Sequence, residues 1–99
     1  MKVLELVVFR PNEGVTKEQL LATVDGVSAW IAEQPGFLSR ELSHEVEGHR
    51  WIEVVWWESL EDAQRAAELA TTSEACAPML ALIDTRTTRM VHGELAHAA

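Results

Sequence analysis

His92 lies in the stretch "MVHGEL", and two strongly apolar runs each carry one carboxylate, Glu5 in "VLELVVF" and Glu53 in "WIEVVWW". Side chains of a strand alternate between its two faces. If Leu4, Leu6 and Val8 form the core face, Glu5 points to the opposite one. The same alternation sends Glu53 there, with Glu41, Met90, His92 and Glu94 joining if Leu42 and Val91 are core. An imidazole flanked by carboxylates is held in one tautomer and its protonated form is stabilised, which is how a general base is oriented and tuned. His92 is therefore one candidate catalytic base, and His44, on the alternation of Leu42, is the other. The same groups also suit a hydrated, hydrogen-bonded contact between protomers, because purely structural networks perturb titrations too. No spacing of His, Cys, Asp or Glu matches a metal-ligand motif, so a metal is not expected.

The elements that must position these groups follow from the hydrophobic pattern. Val3 to Phe9 is a compact, branched apolar run stopped by "RPNEG" and predicts a first strand. Thr16 is an N-cap candidate for a helix with Leu20, Leu21, Val24, Val27 and Ile31 at helical spacing, ended by Pro35-Gly36. Phe37 to Glu45 and Arg50 to Trp57 pair as a hairpin across a turn around Gly48. Ser59 with Asp62 resembles a capping box, and Leu60, Ala63, Ala67 and Ala70 give the next helix a narrow face of mostly small residues. A short helical piece, opened or kinked by Pro78, precedes a last strand from Thr87 to Leu95, and residues 96–99 are expected to fray.

Strand, helix, strand, strand, helix, strand is the split βαβ order of an α+β, ferredoxin-like βαββαβ fold: one antiparallel sheet with helices on one face. A chain of 99 residues supports one domain, 1–99. Sixteen acids against eight Lys plus Arg repel phosphate backbones and anionic membranes, so nucleic acid and membrane are not expected partners. The start, "MKVLELVVFRP", is interrupted by Glu5 and reads as a strand rather than a signal peptide. The lone Cys76 allows no internal disulfide and fits a reducing cytoplasm. Three of the four tryptophans fall on one strand, where Ile52, Val54 and Trp56 alternate with Trp51, Val55 and Trp57, so both sheet faces are apolar. Helices cover one face, and the other predicts a second subunit, because soluble monomers avoid large exposed apolar patches.

The segments "PGFLSREL", "GHRWIEVVWWESLEDAQRAAE", "LID" and "MVHGEL" together resemble the antibiotic biosynthesis monooxygenase family of dimeric α+β barrels, with the W-E-S segment Trp57 to Ser59 the most telling part. The resemblance spans almost the whole chain. It implies a homodimer with sheets packed face to face and a pocket between each sheet and its helices. The family includes cofactor-independent monooxygenases that oxidise polycyclic phenols or anthrones to quinones, and haem-degrading enzymes. The haem-degrading branch is marked by an Asn, a Trp and a haem-ligating His; ungapped matching puts Leu6, Ala66 and Ala75 there, so haem degradation is not expected. The quinone-forming branch draws on Tyr, Trp, Asn, Arg and His. This chain has no Tyr, and Arg86 is its candidate for an anchoring cation.

With the ligand placed by that resemblance between sheet and helices, the candidate binding residues are Trp30, Arg40, Trp56 and Met79, which could hold a flat aromatic compound. Two functions follow. One is a cofactor-independent oxygenase in which His44 or His92 deprotonates a phenolic substrate whose anion reduces dioxygen. The other is a non-catalytic small-molecule-binding or stress-linked homodimer.

Overall fold

The computed structural model describes all 99 residues. Its elements are β1 (Val3–Pro11), α1 (Lys17–Leu21), α2 (Val24–Ala32), β2 (Phe37–His44), β3 (Trp51–Trp57), α3 (Leu60–Ala70), α4 (Ala77–Leu80) and β4 (Ile83–Glu94). The four strands form one antiparallel sheet in the order β2-β3-β1-β4. Helices cover one face of it, as the α+β ferredoxin-like reading requires. No helix is long and apolar enough to cross a membrane.

Local chemistry sets the element ends. Thr16 Oγ1 accepts from the Gln19 amide at 3.1 Å while Gln19 Oε1 accepts from the Thr16 amide at 2.8 Å, a complete capping box for α1. The single helix expected over this stretch is broken, because the Thr23 hydroxyl bonds back to the Leu20 carbonyl at 2.7 Å and its amide also bonds that carbonyl. Ser59 caps α3 by accepting from the Asp62 amide at 3.1 Å, but its hydroxyl donates to the Asp62 carboxylate, so the reciprocal half of a box is missing. Pro78 lies in the first turn of α4, where its missing amide costs nothing. The last strand begins four residues earlier than its apolar pattern suggests. A register shift between Val8 and Arg10 accommodates the extra length, and there Thr87 Oγ1 accepts from the Arg10 amide at 2.9 Å.

The face assignment expected for the central strand is inverted. Val3, Glu5, Val7 and Phe9 are buried under the helices, and Leu4, Leu6 and Val8 lie on the outer face. In β3, Trp51, Val55 and Trp57 are buried with them. The core runs from Phe9, Trp51, Leu20, Val27, Cys76 and Met79 at one end to Val3, Trp57, Ile31, Ala63 and Ala66 at the other, bridged by Trp30. Phe9 and the two tryptophans are bulkier than Leu4, Leu6 and Val8, so their face buries more apolar area per residue.

Candidate functional site

The inversion carries Glu5, Glu53 and His92 to the helix side together. Glu5 on β1 is directly opposite His92 on β4, and same-face cross-strand partners lie close enough to bond. His92 Nε2 is 2.8 Å from Glu5 Oε2. The Glu5 side chain keeps only 7% of its exposure and that of His92 keeps 21%, so the pair runs from the interior toward solvent.

Between sheet and helices is a cavity of about 420 Å³, within the range of small-molecule sites. Its wall is mostly apolar, with Val7, Phe9 and Trp57 from the sheet, Val27, Trp30 and Ile31 from α2, Ala66, Ala67 and Ala70 from α3, and Cys76 and Met79 from the α4 region. The small-residue face of α3 is what leaves the space open. Glu5 and Glu53 bring carboxylates into this wall, and Thr71, Thr85 and Thr88 bring hydroxyls. The Trp57 indole Nε1 is buried with no hydrogen-bond partner. It exerts a small stabilising pull on the Glu5 carboxylate without reaching hydrogen-bond geometry, so its donor capacity is unspent.

Electrostatics separate the two carboxylates. Burial pushes the Glu5 pKa above its ordinary value; the hydrogen bond and charge of His92 pull it back, Glu53 pushes it further, and Trp57 gives the last small pull downward. Glu53 is neutralised by Arg40, whose Nε donates to Glu53 Oε2 at 2.6 Å. The Arg40 side chain is 5% exposed, and it also donates from Nη1 to Ser28 Oγ at 3.1 Å and from Nη2 to Met79 Sδ at 3.9 Å. It thereby ties β2 and β3 to α2 and α4.

The expected site residues divide accordingly. Trp30 and Met79 line the cavity, and Arg40 lies behind its wall on Glu53 and Met79. His92 does not line it and reaches it only through Glu5. His44, near the far end of the hairpin, packs edge-on against Trp51 at 4.8 Å between ring centroids and is not in the cavity wall. Trp56 is on the outer face, beside Lys2, Leu38 and Leu95, which corrects its expected place under the helices: it shares the parity of Ile52 and Val54, not that of Trp57. Arg86 is solvated and bonds Asp84, two residues away, rather than a ligand site. No group of three or more His, Cys, Asp or Glu side chains could hold a metal ion. The residues missed were Glu5 as a cavity residue and Trp57 as an unpaired donor. A lone carboxylate in each of two otherwise apolar strands was the available signal.

No family model matches the sequence, and no curated protein matches it. Solved structures do match across nearly its full length. SnoaB, a cofactor-independent oxygenase from Streptomyces nogalater, aligns over 98% of this chain and 95% of its own with a TM-score of 0.80 at 16% identity. The ActVA-Orf6 monooxygenase of Streptomyces coelicolor, solved with nanaomycin D, aligns over 98% and 89% with a TM-score of 0.69 at 24% identity. The fold is that of the antibiotic biosynthesis monooxygenases. A dimeric ferredoxin-like protein of unknown function from Thermobifida fusca also shares it, over 96% and 92% with a TM-score of 0.74 at 15% identity. At these identities the monooxygenase-type fold is what is common, and chemistry has to be argued from the site.

Proposed function

We propose that this protein is a homodimeric, cofactor-independent oxygenase that takes a small, flat, phenolic aromatic compound into the cavity between sheet and helices. The observation that carries the reading is the apolar cavity with one proton-accepting pair, Glu5 and His92, at its wall. An apolar enclosure favours an aromatic ring, and burial raises the pKa of the Glu5 carboxyl, which makes its anion a stronger base than an ordinary carboxylate. The resemblance to SnoaB and ActVA-Orf6 supports this chemistry on this fold.

In the reaction, the protein removes a proton from a substrate whose anion is electron-rich. That anion gives one electron to dioxygen, and the resulting radical pair combines at the activated carbon as a peroxide. The peroxide anion takes a proton back, and loss of water, which carries off the remaining hydrogen of that carbon, then leaves one oxygen atom as a new carbonyl and sends the other out in the water. The substrate supplies all the electrons, so the chain has only to desolvate, orient and deprotonate. The homodimer is supported by the outer face, where Leu4, Leu6, Val8, Ile52, Val54 and Trp56 stay partly exposed and Val91 is 59% exposed, and by the dimeric Thermobifida fusca neighbour. A cytoplasmic location agrees with the single unpaired thiol.

Native mass spectrometry with hydroxylated polycyclic aromatics, followed by oxygen-uptake assays on those that bind, tests the proposal. A dimer carrying one ligand per protomer and consuming oxygen with it supports the oxygenase. A dimer that binds the ligand and consumes no oxygen would be the non-catalytic binding protein instead.

A further inference from the structure

We propose that Glu5 is the group that takes the proton from the bound ligand, and that His92 is a positioning residue that receives this proton from Glu5 and passes it to solvent. The inference rests on reading the cavity as a site of proton abstraction. Of the two members of the pair, only Glu5 lines the cavity. His92 stands behind it, 2.8 Å away through Nε2, and is the more exposed of the two. With a ligand in the cavity, the buried carboxylate has little contact with water, and the more exposed imidazole supplies it.

The transfers balance in three steps. The ligand's acidic C–H or O–H loses a proton to the Glu5 carboxylate, leaving the ligand anion and a neutral carboxyl. The carboxyl O–H then donates its proton to His92 Nε2, restoring the carboxylate and forming imidazolium. The imidazolium releases a proton to water. Each arrangement uses the same Oε2–Nε2 contact with the proton on one side or the other.

The surroundings favour this direction. From β3, Glu53 faces Glu5 and carries a negative charge that Arg40 of β2 offsets. From β4 the facing group is His92, and from β3 Trp57 adds its N–H. The helices present Val27, Trp30 and Ile31 from α2 and alanines from α3, with Cys76 at the start of α4 the one ionisable group among them. Glu5 therefore has one neighbour able to accept its proton, and that neighbour leads outward.

The test is hydrogen–deuterium exchange at the methylene carbon of 1,8-dihydroxyanthrone in oxygen-free heavy water, which reads proton abstraction with no oxidation step. The dimer should catalyse exchange with a rate that rises with pH as Glu5 ionises. E5Q, nearly isosteric, should still bind the anthrone, read by quenching of tryptophan fluorescence, and should lose about a hundredfold in exchange at every pH. H92A should lose exchange near neutrality, shift the pH rise upward because Glu5 loses the partner that favours its anion, and be rescued by added imidazole. A role for His92 confined to holding Glu5 would shift the midpoint in the same way, but any rescue would then be independent of the pKa of the imidazole added. Exchange by E5Q at the wild-type rate, or rescue of H92A that is absent or indifferent to the pKa of the added imidazole, would overturn the relay while leaving the binding cavity intact. Absence of anthrone binding to the wild-type protein would overturn both.

Discussion

Burying the Glu5 carboxyl beneath the helices makes its ionisation costly to the fold. Its pKa is raised in the folded chain above the 4.5 of an ordinary glutamate, so the favourable contribution of its protonated form is fully present below that value and is lost as pH rises through the folded pKa. E5Q keeps a hydrogen bond to neutral His92 and has no charge to bury. Its melting temperature relative to wild type should therefore rise as pH climbs through this window and then level off, which parallel thermal melts across pH would read. Arg40 is the opposite case. R40A leaves the Glu53 carboxylate, 16% exposed, without its partner, and chemical denaturation should report a loss of about 3–5 kcal/mol. R40K keeps the charge but loses the fork that reaches Glu53, Ser28 and Met79 together, so it should fall between the two. The grouping of Glu5, Glu53 and His92 on one face was legible in the sequence, but the individual pairs were not. Arg40 and Glu53 are thirteen positions apart and Glu5 and His92 eighty-seven, and pairing them requires the sheet register as well as the residue types.

At the scale of elements, the order of strands and helices was readable because each carries its own period and its own stops: Pro35-Gly36 and the turn at Gly48 fall between elements as expected, whereas of "RPNEG" only Asn12 to Gly14 do, Arg10 and Pro11 extending β1. The choice of face was not. When a strand is apolar on both sides, as "VLELVVF" and "WIEVVWW" are, alternation gives two equivalent answers, and only the volumes meeting the helices decide between them. Trp51 and Trp57 went inward with Phe9, which placed Trp56 outward and brought the carboxylates in. The alanine face of α3 was visible in the sequence, and its consequence is the open space beneath it. Replacing Ala67, which lines the cavity without being fully buried, by Leu should fill part of that space. Titration with a hydroxylated aromatic should show affinity reduced by at least about tenfold, while the added methylenes cost about 1–3 kcal/mol in stability.

For the whole molecule, the outer sheet face explains why a chain this small carries apolar residues on both sides of its sheet. Val91, on the outer face of β4, and Trp56, on that of β3, belong to a surface that helices never cover. A charge introduced there should leave the helix-side core untouched and prevent association. V91R examined by sedimentation should run as a monomer with unchanged circular dichroism, whereas a persistent dimer would put the interface elsewhere. The cavity lies between one protomer's own sheet and helices.

The proposed site of ligand binding is tested most directly by a crystal structure of the protein soaked with 1,8-dihydroxyanthrone. The ring system is expected in the helix-side cavity against Trp30 and Met79, with an acidic hydrogen of the ligand directed at the Glu5 carboxyl. A ligand found between the two sheets, or at the surface beside Trp56, would contradict both the assigned cavity and the role of Glu5.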